Sequence, residues 1–250
     1  MSEVLSLATP SWRRERQAAV DALQAAREAD PEAQTTLIIP AAQHPLEEGI
    51  YPGKEHTVRL EEGKTEFESI MQLGGAAVLH VSGSRHFDKP TGKLDKVALC
   101  DAAGRWLVDQ GLPPEYLVGK EWMNEYLPEG VYSGAAELRV AAAGFAAHPE
   151  FARAIYICSP GQVKRAKTYA LAFGLPLEIL TPQALAEVTQ FHNRGLQTVA
   201  LNGLTKTVDP YGQGILARLT RNRRPPDGNT DTIPELRGKY ADLPWNAQAA

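Results

Sequence analysis

Most of the patterns that would assign this chain to a protein class outright are missing. There are two cysteines in 250 residues, Cys100 and Cys158, and no CxxC spacing. That excludes a disulfide-stapled scaffold and a cysteine-based zinc site, and both thiols read as small buried apolar residues. No apolar run approaches the roughly 18 residues of a membrane span. Residues 1–9 also lack the basic start and long apolar segment of a secretory signal. A cytoplasmic location with no membrane partner is the expectation. Charge of one sign is scarce too: the formal net charge is -4, which gives no general case for nucleic acid. The one concentrated basic patch, Arg218, Arg221, Arg223 and Arg224, has no interleaved aromatics and reads as a solvated helix end. Absent as well are a GxGxxG after the first strand, a GxxxxGKS or GxxxxGKT loop, a GxSxG elbow and an HExxH helix. Gly203-Leu204-Thr205-Lys206-Thr207 lacks the glycine spacing of a phosphate loop. No internal repeat or low-complexity tract is present.

What remains is the composition of a folded globular chain, 43% hydrophobic and 22% charged, long enough for a sizeable core. A helix opening at Pro10 or Ser11 runs to about Asp30, where Pro31 stops it. Residues 35–42 read as the first buried strand, with Pro40 ending it early. A long loop over residues 43–57 follows, then a helix over 59–73. The apolar run 76–81 is a second buried strand. It ends in Ser82-Gly83-Ser84-Arg85-His86-Phe87-Asp88, and a helix over 93–110 comes next, capped by Gly111. A short strand near 116–119, an alanine-rich helix over 133–147, a strand over 151–158, a helix from Ser159 to Gly174 and a strand over 176–180 complete the pattern. Beyond Thr181 it loosens into a helix over 182–190, an apolar run 198–201, a helix through Arg221 and a tail. Strand and helix alternate through 35–180, as in a doubly wound α/β sheet of right-handed βαβ units. The expected organisation is an N-terminal helix packed on the core (1–34), a Rossmann-like, mostly parallel domain (35–180) and a small C-terminal appendage (181–250).

In such a sheet ligands bind beyond the carboxyl ends of the strands, which singles out three corners. The first is the loop from Ser82 to Asp88; its bland alternative is an ordinary strand-to-helix turn. The second is Ser159-Pro160-Gly161-Gln162, where a helix start with Arg165 nearby suits a carboxylate or phosphate. The alternative there is a solvated surface helix. The third is the set Glu121, Glu125, Glu129 and Glu137 around the helix start at Ser133, suited to a ribose hydroxyl, an amine or a general base. Helix caps and surface charge are the alternative for these glutamates. His86 and Asp88 make too small a set for a metal, so none is expected. Gln43 and His44 follow the first strand and stand where they could line the crevice.

Several of these stretches together resemble the YdcF/SanA/ElyC-like family over roughly residues 35–180. They are Arg59-Leu60, Ser82-Gly83, Gly111-Leu112-Pro113, Glu121, Ser133-Gly134-Ala135-Ala136-Glu137, and Ser159 with Arg165-Ala166. The leading helix and the later segment with Asp209-Pro210-Tyr211-Gly212 resemble the cytoplasmic YdcF branch. The resemblance implies a Rossmann-like fold with a nucleotide-like ligand at the sheet edge, S-adenosylmethionine being the ligand of that branch. The chain also departs from the family pattern. Ser84 stands for a second glycine, Gln162 for the usual histidine, and Leu138 for the asparagine after the glutamate. With no imidazole at 162, proton transfer shifts to His86.

The functional expectation is an enzyme that binds S-adenosylmethionine or a related adenosine-type ligand and acts on a second small molecule, with group transfer as the reaction class in view. Gln43, His44, Ser82, Gly83, Ser84, Arg85, Ser133, Ser159, Gln162 and Arg165 would contact the ligand; His86, Glu121 and Glu137 would carry proton transfer or accept hydrogen bonds. Two other readings stay open: a phosphoester or diphosphate hydrolase, and a noncatalytic sensor of a nucleotide metabolite.

Overall fold

The alternation of apolar strands and amphipathic helices resolves into one parallel sheet in the computed structural model. The structure describes residues 11–185 except 31, 44, 45, 89–92 and 129. Helix α1 (Ser11–Glu28) precedes strand β1 (Thr35–Pro40), helix α2 (Lys54–Gln72) and strand β2 (Ala76–His80). A two-residue hairpin, β3 (Phe87–Asp88) with β4 (Lys93–Leu94), leads to α3 (Leu99–Asp109) and β5 (Leu117–Val118). Then come α4 (Lys120–Tyr126), α5 (Gly134–Ala147), β6 (Phe151–Ile157), α6 (Val163–Phe173) and β7 (Leu177–Leu180).

The five main strands lie in the order β5-β2-β1-β6-β7, and every neighbouring pair is parallel. Counted along the main sheet alone this is the order 3-2-1-4-5 of a Rossmann-like doubly wound fold. The chain winds outward from β1 to β5, then returns beside β1 as β6, so the order reverses between β1 and β6. Successive side chains of a strand point to opposite faces, and both faces are covered. Ile38, Leu79, Ile155 and Ile157 pack with Leu60 and Phe67 of α2 and with Ala103 and Leu107 of α3. Leu37, Ile39, Ala154 and Tyr156 face the other way, into Trp122 of α4, Leu138 and Ala141 of α5 and Phe173 of α6. That double covering explains why residues 37–39 of β1 are apolar in succession.

Helix α1 lies against β6 and α6. Its Arg27 donates to the carbonyls of His148 (2.8 Å) and Phe151 (3.0 Å) and stands 4.7 Å over the Phe145 ring. No helix among the described residues is long and apolar enough to cross a membrane. Cys100 and Cys158 are free and buried.

Two helix starts differ from the expectation. Helix α2 begins at Lys54, directly after the extended Gly53, and not at residue 59. The connection after β1 is shorter in consequence, and His56 lies buried in a helix, not in a loop. Helix α3 begins at Leu99, not residue 93, because the backbone donors ahead of it bond elsewhere: Asp95 N–H to His86 O (2.9 Å), and Lys96 and Val97 N–H to Gly49 O (2.9 and 3.3 Å). The stretch from Glu121 to Tyr126, given no element from sequence, belongs to helix α4. The expected helix over 182–190 is described only to residue 185. The run 198–201, the stretch from Gly203 to Thr207, the arginines 218–224 and the tail lie outside the described residues.

Candidate functional site

The strand-order reversal places the ends of β1 and β6 side by side, and an ionic network fills that position. Arg59 on α2 is fully buried. Its Nη1 donates to the Ala41 carbonyl beyond β1 (2.9 Å). Its Nη2 donates to Ser159 Oγ beyond β6 (2.8 Å) and to Glu55 one turn earlier on the same helix. The Ser159 hydroxyl in turn donates to the same Glu55 oxygen. A buried guanidinium without a counter-charge would carry a desolvation penalty of several kcal/mol; Glu55 supplies the charge and Ala41 and Ser159 complete the shell. Arg59 Nε has no hydrogen-bond partner among the described residues.

Glu137, in the first turn of α5, is the second buried ionisable group at this edge. Its Oε1 accepts from the Ala42 N–H (2.9 Å) and the Ser82 hydroxyl (3.1 Å), and its Oε2 accepts from the Tyr156 hydroxyl (2.9 Å). One carboxyl therefore joins α5 to the ends of β1, β2 and β6. Burial pushes its pKa up; the bonds from Ala42, Tyr156 and Ser82 and the Arg59 charge pull it partly back. Burial, with Glu137 alongside, also pushes the Tyr156 hydroxyl well above its usual range.

The Ser82 to His86 loop is held mainly through its own backbone. Gly83 adopts φ +117°, and a Cβ there would lie 2.7 Å from Leu99 Cβ, so glycine is required on both counts. Its N–H points at Met123 Sδ (3.3 Å). Ser84 donates its N–H to Val131 O (2.9 Å), and its Oγ accepts from Val131 N–H (2.8 Å). Arg85 Nε donates to Asp95 O (2.8 Å), and the half-buried His86 ring meets Tyr132 edge-on at 5.7 Å.

The other expected site residues are placed as follows. Ser133 caps α5, accepting from Ala136 N–H (3.3 Å). Glu121 is exposed on α4. Gln162 accepts from Ser159 N–H through its side-chain oxygen (3.3 Å). Arg165 is half-buried in the first turn of α6, near enough for its charge to lower the Cys158 pKa against the upward push of burial. Gln43 is half-buried just beyond Ala42, and His44 lies outside the described residues. The structure thus gathers Ser82, Glu137 and Ser159 at the reversal. Ser84, Arg85 and His86 sit on the hairpin side, and Ser133, Glu121 and Gln162 are at helix starts.

Sequence reasoning missed Glu55 and Tyr156 as site residues and used Arg59 only as part of a resemblance. One signal was there: Arg59 occupies the buried stripe of α2 together with Leu60, Gly63 and Phe67, and a charged residue in an apolar stripe needs a partner. Tyr156 sits in the apolar stretch 154–158 and carried no such mark. Among the described residues no group of three His, Cys, Asp or Glu side chains is arranged to hold a metal ion. No family model, curated protein or solved structure matches the chain.

Proposed function

We propose that the chain binds an adenosine-type small molecule, S-adenosylmethionine or a relative, at the carboxyl edge of the sheet where β1 meets β6, and acts there on a second small molecule. The observation that carries this reading is the buried pairing of Arg59 with Glu55 and Ser159 at the strand-order reversal. A buried ion pair adds little to stability compared with apolar residues of the same size. Ionisable groups gathered in a cleft are a mark of function, and the reversal is where this fold class holds its ligands.

The lining fits a ligand with both donors and acceptors. Ser82 and Ser159 are buried hydroxyls that hold Glu137 and Glu55 in place, Glu137 is a carboxyl pushed toward its neutral form, and Arg165 stands half-buried at the start of α6. The resemblance to the YdcF branch supplies the ligand class. S-adenosylmethionine, when bound, supplies an electrophilic methyl group. The chain's residues would hold and orient the ligand and exclude water, with His86 on the hairpin side as the candidate proton carrier for the acceptor.

Thermal shift tests this directly, because a ligand that binds only the folded state stabilises it, by about 2.7 kcal/mol at a hundredfold excess over Kd. S-adenosylmethionine, S-adenosylhomocysteine and adenosine are expected to raise the melting temperature, and Ser82→Ala with Ser159→Ala to diminish the rise. No shift with any adenosine compound at millimolar concentration would sink the reading. Phosphate release from a phosphoester, dependent on a divalent ion, would favour the hydrolase instead.

A further inference from the structure

Among the described residues, one side chain of the network under the strand-order reversal reaches the surface, and its chemistry is one-sided. Arg59, Ser82, Glu137 and Ser159 are buried, whereas the Glu55 side chain keeps 24% of its surface exposed. Arg59 and Ser159 both bind Oε1 of Glu55. Oε2 makes no hydrogen bond among the described residues. The Arg59 and Ser159 donors beside Glu55 are already engaged. Arg59 Nη2 faces Glu55 and Ser159, Nη1 faces Ala41 O, and the Ser159 N–H faces Gln162. Arg59 Nε has no partner but is shut off from solvent.

A ligand group that reaches this opening therefore meets an acceptor. A phosphate or carboxylate would stand against a like charge. An ammonium group would gain little, since Glu55 already neutralises the Arg59 cation and a second positive charge would sit beside the guanidinium. A neutral pair of hydroxyls suits both conditions: it donates to Oε2 and adds no charge to a balanced pair.

We propose that Glu55 is the specificity-determining residue of the crevice and that its carboxylate takes the vicinal 2′,3′-diol of a ribose. The inference rests on the adenosine-type reading and narrows it to ligands that turn their ribose, not a phosphate, toward the β1–α2 corner. Hydrogen bonds to a charged acceptor are among the stronger ones, so loss of the diol carries a measurable penalty.

Calorimetric titration of the full chain with adenosine and with 2′,3′-dideoxyadenosine is the test. Adenosine is expected to bind roughly 10- to 100-fold more tightly. In Glu55→Gln that ratio falls toward one while affinity for the dideoxy compound is kept; a merely structural role would weaken both ligands equally. Should Glu55→Gln fail to fold beside the Arg59 charge, the wild-type ratio still decides. Equal affinity for the two ligands in the wild type overturns the assignment and leaves the adenosine reading in place. Binding of uridine or methyl ribofuranoside with the same dependence on the diol, but not of adenosine, overturns the adenosine reading and leaves Glu55 in its role. Failure of every ribose-bearing compound to bind overturns both.

Discussion

His80 is the least comfortable residue in the core. It is fully buried at the end of β2, neither ring nitrogen has a hydrogen-bond partner on another described residue, and its ring lies 5.5 Å from that of Trp122. His56 is buried in α2 with Nδ1 unpartnered. Burial holds both imidazoles down to about 3, with the Arg59 charge adding to the effect on His56. In the unfolded chain the same groups take a proton near 6.5. Between those values the unfolded state holds more protons, so stability is full above about 6.5 and falls as the pH drops toward 3. Each histidine accounts for about 2 kcal/mol of loss on going from neutral pH to pH 5. Glu137 acts with the opposite sign, because a raised carboxyl pKa favours the folded state as pH falls through it. The comparison that isolates His80 is therefore with His80→Phe, which keeps a ring against Trp122. At pH 7.5 this variant is expected to lose no more than about 1 kcal/mol, since the ring it replaces has no bonds to lose. At pH 5 it is expected to have lost about 2 kcal/mol less than the wild type, as read from urea midpoints. The same acid sensitivity in both proteins would refute the assignment. From sequence, His80 is one member of an apolar run; its burial was legible, but its missing partners depend on packing between α4 and β2 that no local pattern encodes.

Helix α4 is held on α5 by a contact that a single methyl group would obstruct. A Cβ added to Gly144 would fall inside the Trp122 ring, which packs on its other sides against His80, His148 and Phe151. Alanine suits a helix better than glycine by about 1 kcal/mol, so propensity alone makes Gly144→Ala stabilising. Overpacking of a rigid ring costs about 1–3 kcal/mol and is expected to dominate. Denaturant unfolding should show a net loss, and a gain would mean that α4 shifts freely on α5. The elements themselves were largely legible, because β1, β2, β6 and α5 are each predominantly apolar. The starts of α2 and α3 were not. The stretch before Arg59 looks like loop because of Pro52 and Gly53, yet the extended Gly53 begins the helix at once. Residues 95–97 look helical, but their N–H groups bond to His86 and Gly49, partners distant in sequence. Propensity cannot register a hydrogen bond to another loop.

At the scale of the molecule, the alternation of strand and helix foretold a doubly wound sheet, and that is the fold. Strand order was not legible, since it depends on which side each crossover takes. It is the order that brings Ala41 and Ser159 together over Arg59, and this is why Ser82, Ser159 and Glu137, one residue from each of the three expected corners, meet there; of the β1–α2 connection only Gln43 and His44 were singled out, and Glu55 was not. Glu55 and Arg59, four apart on a helix, look like an ordinary surface pair until the guanidinium is found buried. That burial leads to a test of what ties the molecule together at its centre. Arg59→Met removes the group that links α2 to the ends of β1 and β6, leaving the Ala41 carbonyl and the Ser159 hydroxyl short of a donor. Breaking a buried pair from one side costs about 3–5 kcal/mol. Glu55 keeps some exposure to water, which places the expected loss at the lower end of that range. The Arg153–Glu178 pair joins β6 to β7 with comparable geometry, but its side chains are 42% and 56% exposed. Solvent and salt screen such a pair, so Arg153→Met is expected to cost less than about 1 kcal/mol. Urea unfolding of the two variants against the wild type separates the cases. Equal losses would mean that the Arg59 network is no more than a surface ion pair in energetic terms. A loss confined to Arg59→Met, partly relieved by adding Glu55→Gln, would locate the coupling in the pair itself.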